Sequence, residues 1–152
     1  LPDKRESRRV PSRGCRSVVI VRYLLQWNNQ EKQKNILREI ARVTRGIALI
    51  EHVGADVADP ENWRNRIEDL FSGIDVPKMK RGEYFFSSRD ELENWMRELD
   101  ITFERLKERV IHNGVDVYIE RYNLSPEEAT RSRSILGDKN FFYQTDYIIF
   151  PL

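Results

Sequence analysis

Arg22, Tyr23, Gln26 and Trp27 follow one short hydrophobic run, Ser17–Val21, and Glu51 and His52 fall near the end of another, Ile47–Val53. Each type offers a chemistry. Arginine grips an anion, tryptophan stacks on a flat ring, and histidine takes or gives a proton near neutral pH. A histidine beside a glutamate at a strand end can act as a general base or hold a substrate group. His52 also has a plainer reading, as a partly buried ring packed beneath a covering loop.

These groups share a location only if the two runs are neighbouring strands. The β-branched stretch 17–21 reads as a buried strand, and Asn28 with Glu31 three residues on suggests a capping box opening a helix. Ile36, Leu37, Ile40, Ala41 and Val43 then fall on one helical face, and Gly46 can end that helix. Strand, helix, strand is one β-α-β crossover, which makes the two strands parallel. Ligands in open sheets of this kind bind beyond the carboxyl ends of the strands. On that geometry Arg22, Tyr23 and Trp27 border one part of a site, and Glu51 and His52 another.

The chain of 152 residues suits one domain, with 39% hydrophobic and 34% charged residues and a net charge of +1. Near-neutral charge gives no global field drawing in nucleic acid, and no apolar run approaches the length of a membrane helix. A lone cysteine, Cys15, excludes a disulfide within the chain and suits a reducing cytoplasmic setting. Two histidines and one cysteine argue against a structural zinc site, and no metal is expected. Residues 1–16 differ from the rest: six basic side chains against two acidic ones make a net of +4. They read as a basic, flexible arm preceding a domain over 17–152.

Further along, Asp59-Pro60 starts a helix with Trp63, Ile67, Leu70 and Phe71 on its apolar stripe. The stretch 55–88, with Gly73, Pro77, Gly82 and the Lys78–Arg81 cluster, reads as a lid-like insertion. Ser88–Glu91 is a capping box, and the spacing of Leu92, Trp95, Met96, Leu99, Phe103, Leu106 and Val110 predicts a long amphipathic helix, with a break near Asp100. Alternation over 115–121 predicts a strand. Ser125–Glu128 opens a short helix, and the aromatic run Phe141–Phe150 is the last strand. The class is α/β, with a mostly parallel sheet, helices on both faces and an antiparallel last strand.

Several chemistries have no motif here. The closest two of the seven glycines are eight residues apart, so neither a dinucleotide fingerprint nor a P-loop can be written. Nucleophile elbows and His-Glu metal motifs are absent too.

The stretch VVIVRYLLQW…ILREIARVTRGIALIEHVG resembles the second half of class I S-adenosylmethionine-dependent methyltransferases. Leu37–Val43 matches the family's helix of the form L-x-E-x-x-R-V, and Arg45-Gly46 stands in a shortened turn. LKERVIHNGVDVYIERYN resembles the later helix, turn and sixth strand, and FFYQTDYIIFPL the closing seventh. The resemblance covers about residues 17–152. The family's glycine-rich loop and ribose-binding acid have no counterpart, because they precede the strand with which this stretch begins.

The resemblance implies a methyltransferase-like protein of the Rossmann-like fold, using S-adenosylmethionine on a small-molecule methyl acceptor. Arg22, Tyr23 and Trp27 would border the cofactor, and Glu51 and His52 the substrate. A second chain supplying the N-terminal half is the implied partner; membrane and nucleic acid are not. Without the glycine loop the chain alone is expected to bind cofactor weakly and to be inactive. The alternative is a non-catalytic α/β binding or regulatory subunit that pairs through its exposed strand edge.

Overall fold

The computed structural model describes residues 18–72, 82–112, 114–137 and 141–151. The basic arm at 1–16, with Cys15, and the Lys78–Arg81 cluster lie outside the described residues. Strands β1 (Val18–Arg22) and β2 (Ile47–Gly54) flank helix α1 (Gln30–Val43). Helices α2 (Pro60–Ser72) and α3 (Arg89–Glu98) follow, then strand β3 (Phe103–His112), helices α4 (Gly114–Arg121) and α5 (Pro126–Leu136), and strand β4 (Phe141–Ile149). The class is α/β, as the sequence predicts.

The four strands form one sheet in the order β1-β2-β4-β3. β1 and β2 are parallel, with Arg22 opposite Glu51. β4 is antiparallel to both neighbours, with His52 opposite Thr145 and Val110 opposite Tyr143. The last strand therefore lies between the second and third, as expected.

The third strand is not the one the alternation predicts. Residues 115–121 form α4, and the strand is 103–112. Val115, Tyr118 and Ile119 recur at helical spacing and pack together into the core, while Val117 stays 59% exposed. Helical periodicity thus wins over the β-branched content. The long helix expected over 88–110 stops at Glu98, where Asp100 turns left-handed at φ 55° and the Ile101 amide donates to the Met96 carbonyl at 2.9 Å. Beyond it the polar residues of 104–109 face water on an edge strand, and a register shift between Arg105 and Lys107 leaves Leu106 exposed.

Cap chemistry sets the other boundaries. Asn29, not Asn28, caps α1 by accepting from the Lys32 amide at 3.0 Å. Thr44 rather than Gly46 closes that helix, its hydroxyl donating to the Ile40 carbonyl at 2.6 Å. Asp59 accepts from the Asn62 amide ahead of Pro60, and the capping boxes at Ser88 and Ser125 form as predicted.

Two cores result. On one face Leu37, Ile40, Leu92 and Met96 cover Val21, Ala48, Ile50, Tyr147 and Ile149. The second core gathers Trp63, Ile67, Leu70 and Phe71 of α2 with Phe86, Val115, Leu136 and Phe142. Phe142 and Val53 alternate with residues of the first core, so this cluster lies across the sheet, at the carboxyl ends of β2 and β3. Beside it Val18 and Ile20 of β1 stay 56% and 63% exposed.

Candidate functional site

A cavity of about 390 Å³ opens at the carboxyl ends of β1, β2 and β3. Tyr23, Gln26 and Trp27 form one wall, where the chain leaves β1. Val53, Ile111, Phe86 and Phe142 supply apolar surface from the strand ends and the 84–88 segment. Gly114, Val117, Tyr118 and Arg121 of α4 close the opposite side.

Local structure explains the first wall. The Tyr23 amide continues the β1–β2 ladder by donating to the Glu51 carbonyl at 3.0 Å, and Tyr23 then turns left-handed at φ 50°. A bulky residue held there is a strained position of the kind that clusters at ligand sites. The chain winds into a 3₁₀ turn, Leu25–Trp27, held by the Asn28 side chain donating to the Leu24 carbonyl at 2.9 Å. The Phe85 amide donates to the Gln26 carbonyl at 3.0 Å, tying the turn to the 84–88 segment. Trp27 meets Phe86 edge-on at 5.7 Å, and Phe86 continues to Trp63, which meets Phe142. The cavity is thus backed by aromatic rings fixed in the core.

The far wall depends on a glycine. A Cβ on Gly114 would collide with the Phe142 ring. Glycine there lets the first turn of α4 rest on β4, which carries Val117, Tyr118 and Arg121 to the cavity.

The residues named from the sequence divide three ways. Tyr23 and Trp27 line the cavity, with the Tyr23 hydroxyl 3.4 Å from Gln144 Oε1. Arg22 and Glu51 pair with each other at 2.7 Å on the outer surface and line no part of it. Their side chains are 62% and 27% exposed, so the pair is solvated.

His52 lies underneath rather than at an open rim. It is 1% exposed, and its Nε2 sits 3.0 Å from the Ser87 carbonyl oxygen and 3.1 Å from Ser87 Oγ. The Ser87 hydroxyl donates to Gln33 Oε1 at 3.2 Å. Gln33 Nε2 donates to the Phe85 and Asn28 carbonyls at 2.6 and 2.7 Å. Because the Ser87 proton goes to Gln33, the consistent assignment places the imidazole proton on Nε2, leaving Nδ1 as a buried acceptor without a partner. Burial lowers the His52 pKa to about 4, against a smaller opposing effect of the Ser87 carbonyl. The ring is a neutral post that locks the 85–88 segment onto β2 and α1, and so holds Phe86 against the cavity.

Sequence reasoning missed the α4 wall, Phe86 and Phe142. The signal for α4 was present: Val115, Tyr118, Ile119 and Tyr122 repeat at three- and four-residue intervals. Among the described residues no cluster of histidine, cysteine and acidic side chains is arranged to hold a metal ion. No helix among them is long and apolar enough to cross a membrane.

No known family profile and no curated protein sequence matches the chain. Solved structures do. The YcgJ protein from Bacillus subtilis superposes with a TM-score of 0.61 at 13% identity, over 89% of this chain and 64% of that one. The "putative methyltransferase" BH2331 from Bacillus halodurans C-125 superposes with a TM-score of 0.50 at 11% identity, over 87% of this chain and 66% of that one. The chain thus spans just under two thirds of each. At such identities the likeness is one of fold, and the fold is methyltransferase-like.

Proposed function

We propose that this chain forms the acceptor side of a methyltransferase that moves a methyl group from S-adenosylmethionine to a small molecule. The observation that carries the reading is the position of the cavity. It lies beyond the carboxyl ends of the parallel strands, where sheets of this kind bind ligands. Its walls are aromatic and aliphatic, suited to excluding water and fixing a small acceptor.

The described residues fit the acceptor better than the cofactor. Tyr23 and Trp27 offer a ring surface against which an adenine could rest. No carboxylate lines the cavity, and Glu51, the acid nearest the end of β1, is tied to Arg22. The grips for a ribose and for a methionine carboxylate therefore have to come from elsewhere. S-adenosylmethionine, when bound, supplies an electrophilic methyl group. The contribution of this chain is to hold and orient the acceptor, since methyl transfer rests largely on positioning.

The partner in this reading is a polypeptide that pairs with β1. The two edges of the sheet differ in chemistry. β3 carries Glu104, Arg105, Lys107, Glu108 and Arg109, which discourage further pairing, while β1 reads Val-Val-Ile-Val. That apolar edge also supports the second reading, a non-catalytic subunit that docks through β1.

Calorimetric titration with S-adenosylmethionine separates the two, using the chain alone and together with the polypeptide encoded beside it. Methyltransferase function predicts weak binding by the chain alone and a gain of at least roughly tenfold in affinity with the partner. Micromolar binding by the 152 residues alone would overturn the division of labour. No binding in either case would leave the docking subunit.

A further inference from the structure

The cavity has a direction. Gly114, Val117, Tyr118 and Arg121 follow one another at three- and four-residue steps, so they share a face of α4. At 1.5 Å per residue, Gly114 and Arg121 stand about 10 Å apart along that helix. At the Gly114 end the surroundings are hydrocarbon: Ile111, Phe142 and Val53. At the other end stands a guanidinium.

Arg121 is the one charged residue lining the cavity. Among the described residues no carboxylate pairs with it. The nearby acids are engaged elsewhere: Asp116 with Arg133 at 2.9 Å, Asp146 with Arg109 at 3.3 Å, and Glu51 with Arg22. Tyr118, one turn back, feels the same positive charge. Burial pushes its phenol above the ordinary value, and Arg121 pulls in the opposite direction. Gln26, on the facing wall, is 3% exposed and carries an Oε1 without a hydrogen-bond partner. Buried polar atoms of this kind are rare in native proteins and call for an explanation. A ligand-bearing state in which the amide turns toward the cavity supplies one.

We infer that the acceptor is a flat, apolar molecule of about two fused rings that carries an anionic group, a carboxylate or its equivalent, bound with its rings between Trp27 and α4 and its charge at Arg121. Naming this class rests on the cavity being the acceptor site. Arginine suits the task because its planar fork can meet both carboxylate oxygens at once. A cavity bearing one cation and no acid discriminates against cationic ligands as well as favouring anions.

Three probes of the same shape test this by calorimetry on the 152-residue chain: 2-naphthoate, 2-naphthalenemethanol and 2-naphthylmethylamine. The expected order is naphthoate tightest, by roughly tenfold over the alcohol, with the amine weakest. Arg121→Gln should bring naphthoate and the alcohol within about twofold of each other, and Arg121→Lys should restore part of the difference. Arg121 is exposed, so neither variant should shift the thermal midpoint, which a melting curve confirms. Equal affinities in the native protein, failure of all three to bind, or an anion preference that survives Arg121→Gln would each overturn the inference. These titrations contain no S-adenosylmethionine. An anion preference without methyl transfer rejects the proposed reaction alone, whereas transfer to neutral acceptors rejects the anionic class alone.

Discussion

The Nε2 atom of His52 lies 3.1 Å from Ser87 Oγ and 3.0 Å from the carbonyl oxygen of the same serine, with no solvent between them. One side chain of β2 thereby fixes the segment that delivers Phe86 to the cavity. Three consequences of this and neighbouring contacts can be measured.

Stability should fall as pH drops from 6.5 toward 4. His52 titrates near 6.5 when unfolded and about 4 when folded, because burial disfavours the imidazolium. Between those values the unfolded chain binds the extra proton and the native chain does not, so acid favours unfolding. The full effect is about 3 kcal/mol for a shift of this size, and it is absent above pH 7. Chemical denaturation at pH 7 and pH 4.5 should show the loss, and His52→Gln should flatten it. An equal pH slope in the variant would assign the effect to other groups.

The two tryptophans nearest Phe86 should behave oppositely. Trp63 is 7% exposed and Trp27 is 36% exposed. Trp63→Ala should cost about 3–5 kcal/mol of stability, as core aromatic truncations do. Trp27→Ala should cost about 1 kcal/mol or less and instead weaken ligand binding in the cavity. Urea unfolding of both variants, read beside naphthoate titration, distinguishes core from site.

The apolar edge of β1 should be correctable without harm to the fold. Ile20 is 63% exposed, so Ile20→Lys removes little packing. It should raise the solubility of the chain and leave the unfolding free energy within about 0.5 kcal/mol. The same change should abolish association with any polypeptide that completes the sheet. Retained association, measured by sedimentation, would mean that the partner docks elsewhere.

Much of the fold was legible because local and long-range signals agreed. The crossover 17–55 shows an uninterrupted apolar run, a clean helical stripe and a second run. The caps at Asp59, Ser88 and Ser125 work through side chains that the sequence displays directly. Reading failed where a segment carries both periods. Val115, Val117 and Ile119 alternate, yet Val115, Tyr118 and Ile119 also fit a helix, and contact with Phe142 and Phe71 decides between them. Phe103, Leu106 and Val110 mimic a helical stripe only because a bulge displaces Leu106 from the strand alternation. The site was half legible for the same reason. Tyr23 and Trp27 follow a strand whose end is plain, whereas Arg121 belongs to a helix whose reading was wrong. His52 sits in a strand that was read correctly; what the sequence lacks is the loop folding back through Ser87 to bury it.

The central claim is that the cavity at the strand ends holds the methyl acceptor. Val117 lines that cavity and is 59% exposed, so Val117→Trp fills the space without disturbing the core. The direct test is transfer of a labelled methyl group from S-adenosylmethionine to small molecules of a cell extract, using the chain with the polypeptide that completes its sheet. The native assembly should label the low-molecular-weight fraction. Val117→Trp should reduce labelling by at least roughly tenfold with an unchanged melting temperature. Undiminished labelling by the plugged variant, or label found only in protein or RNA, would contradict the account.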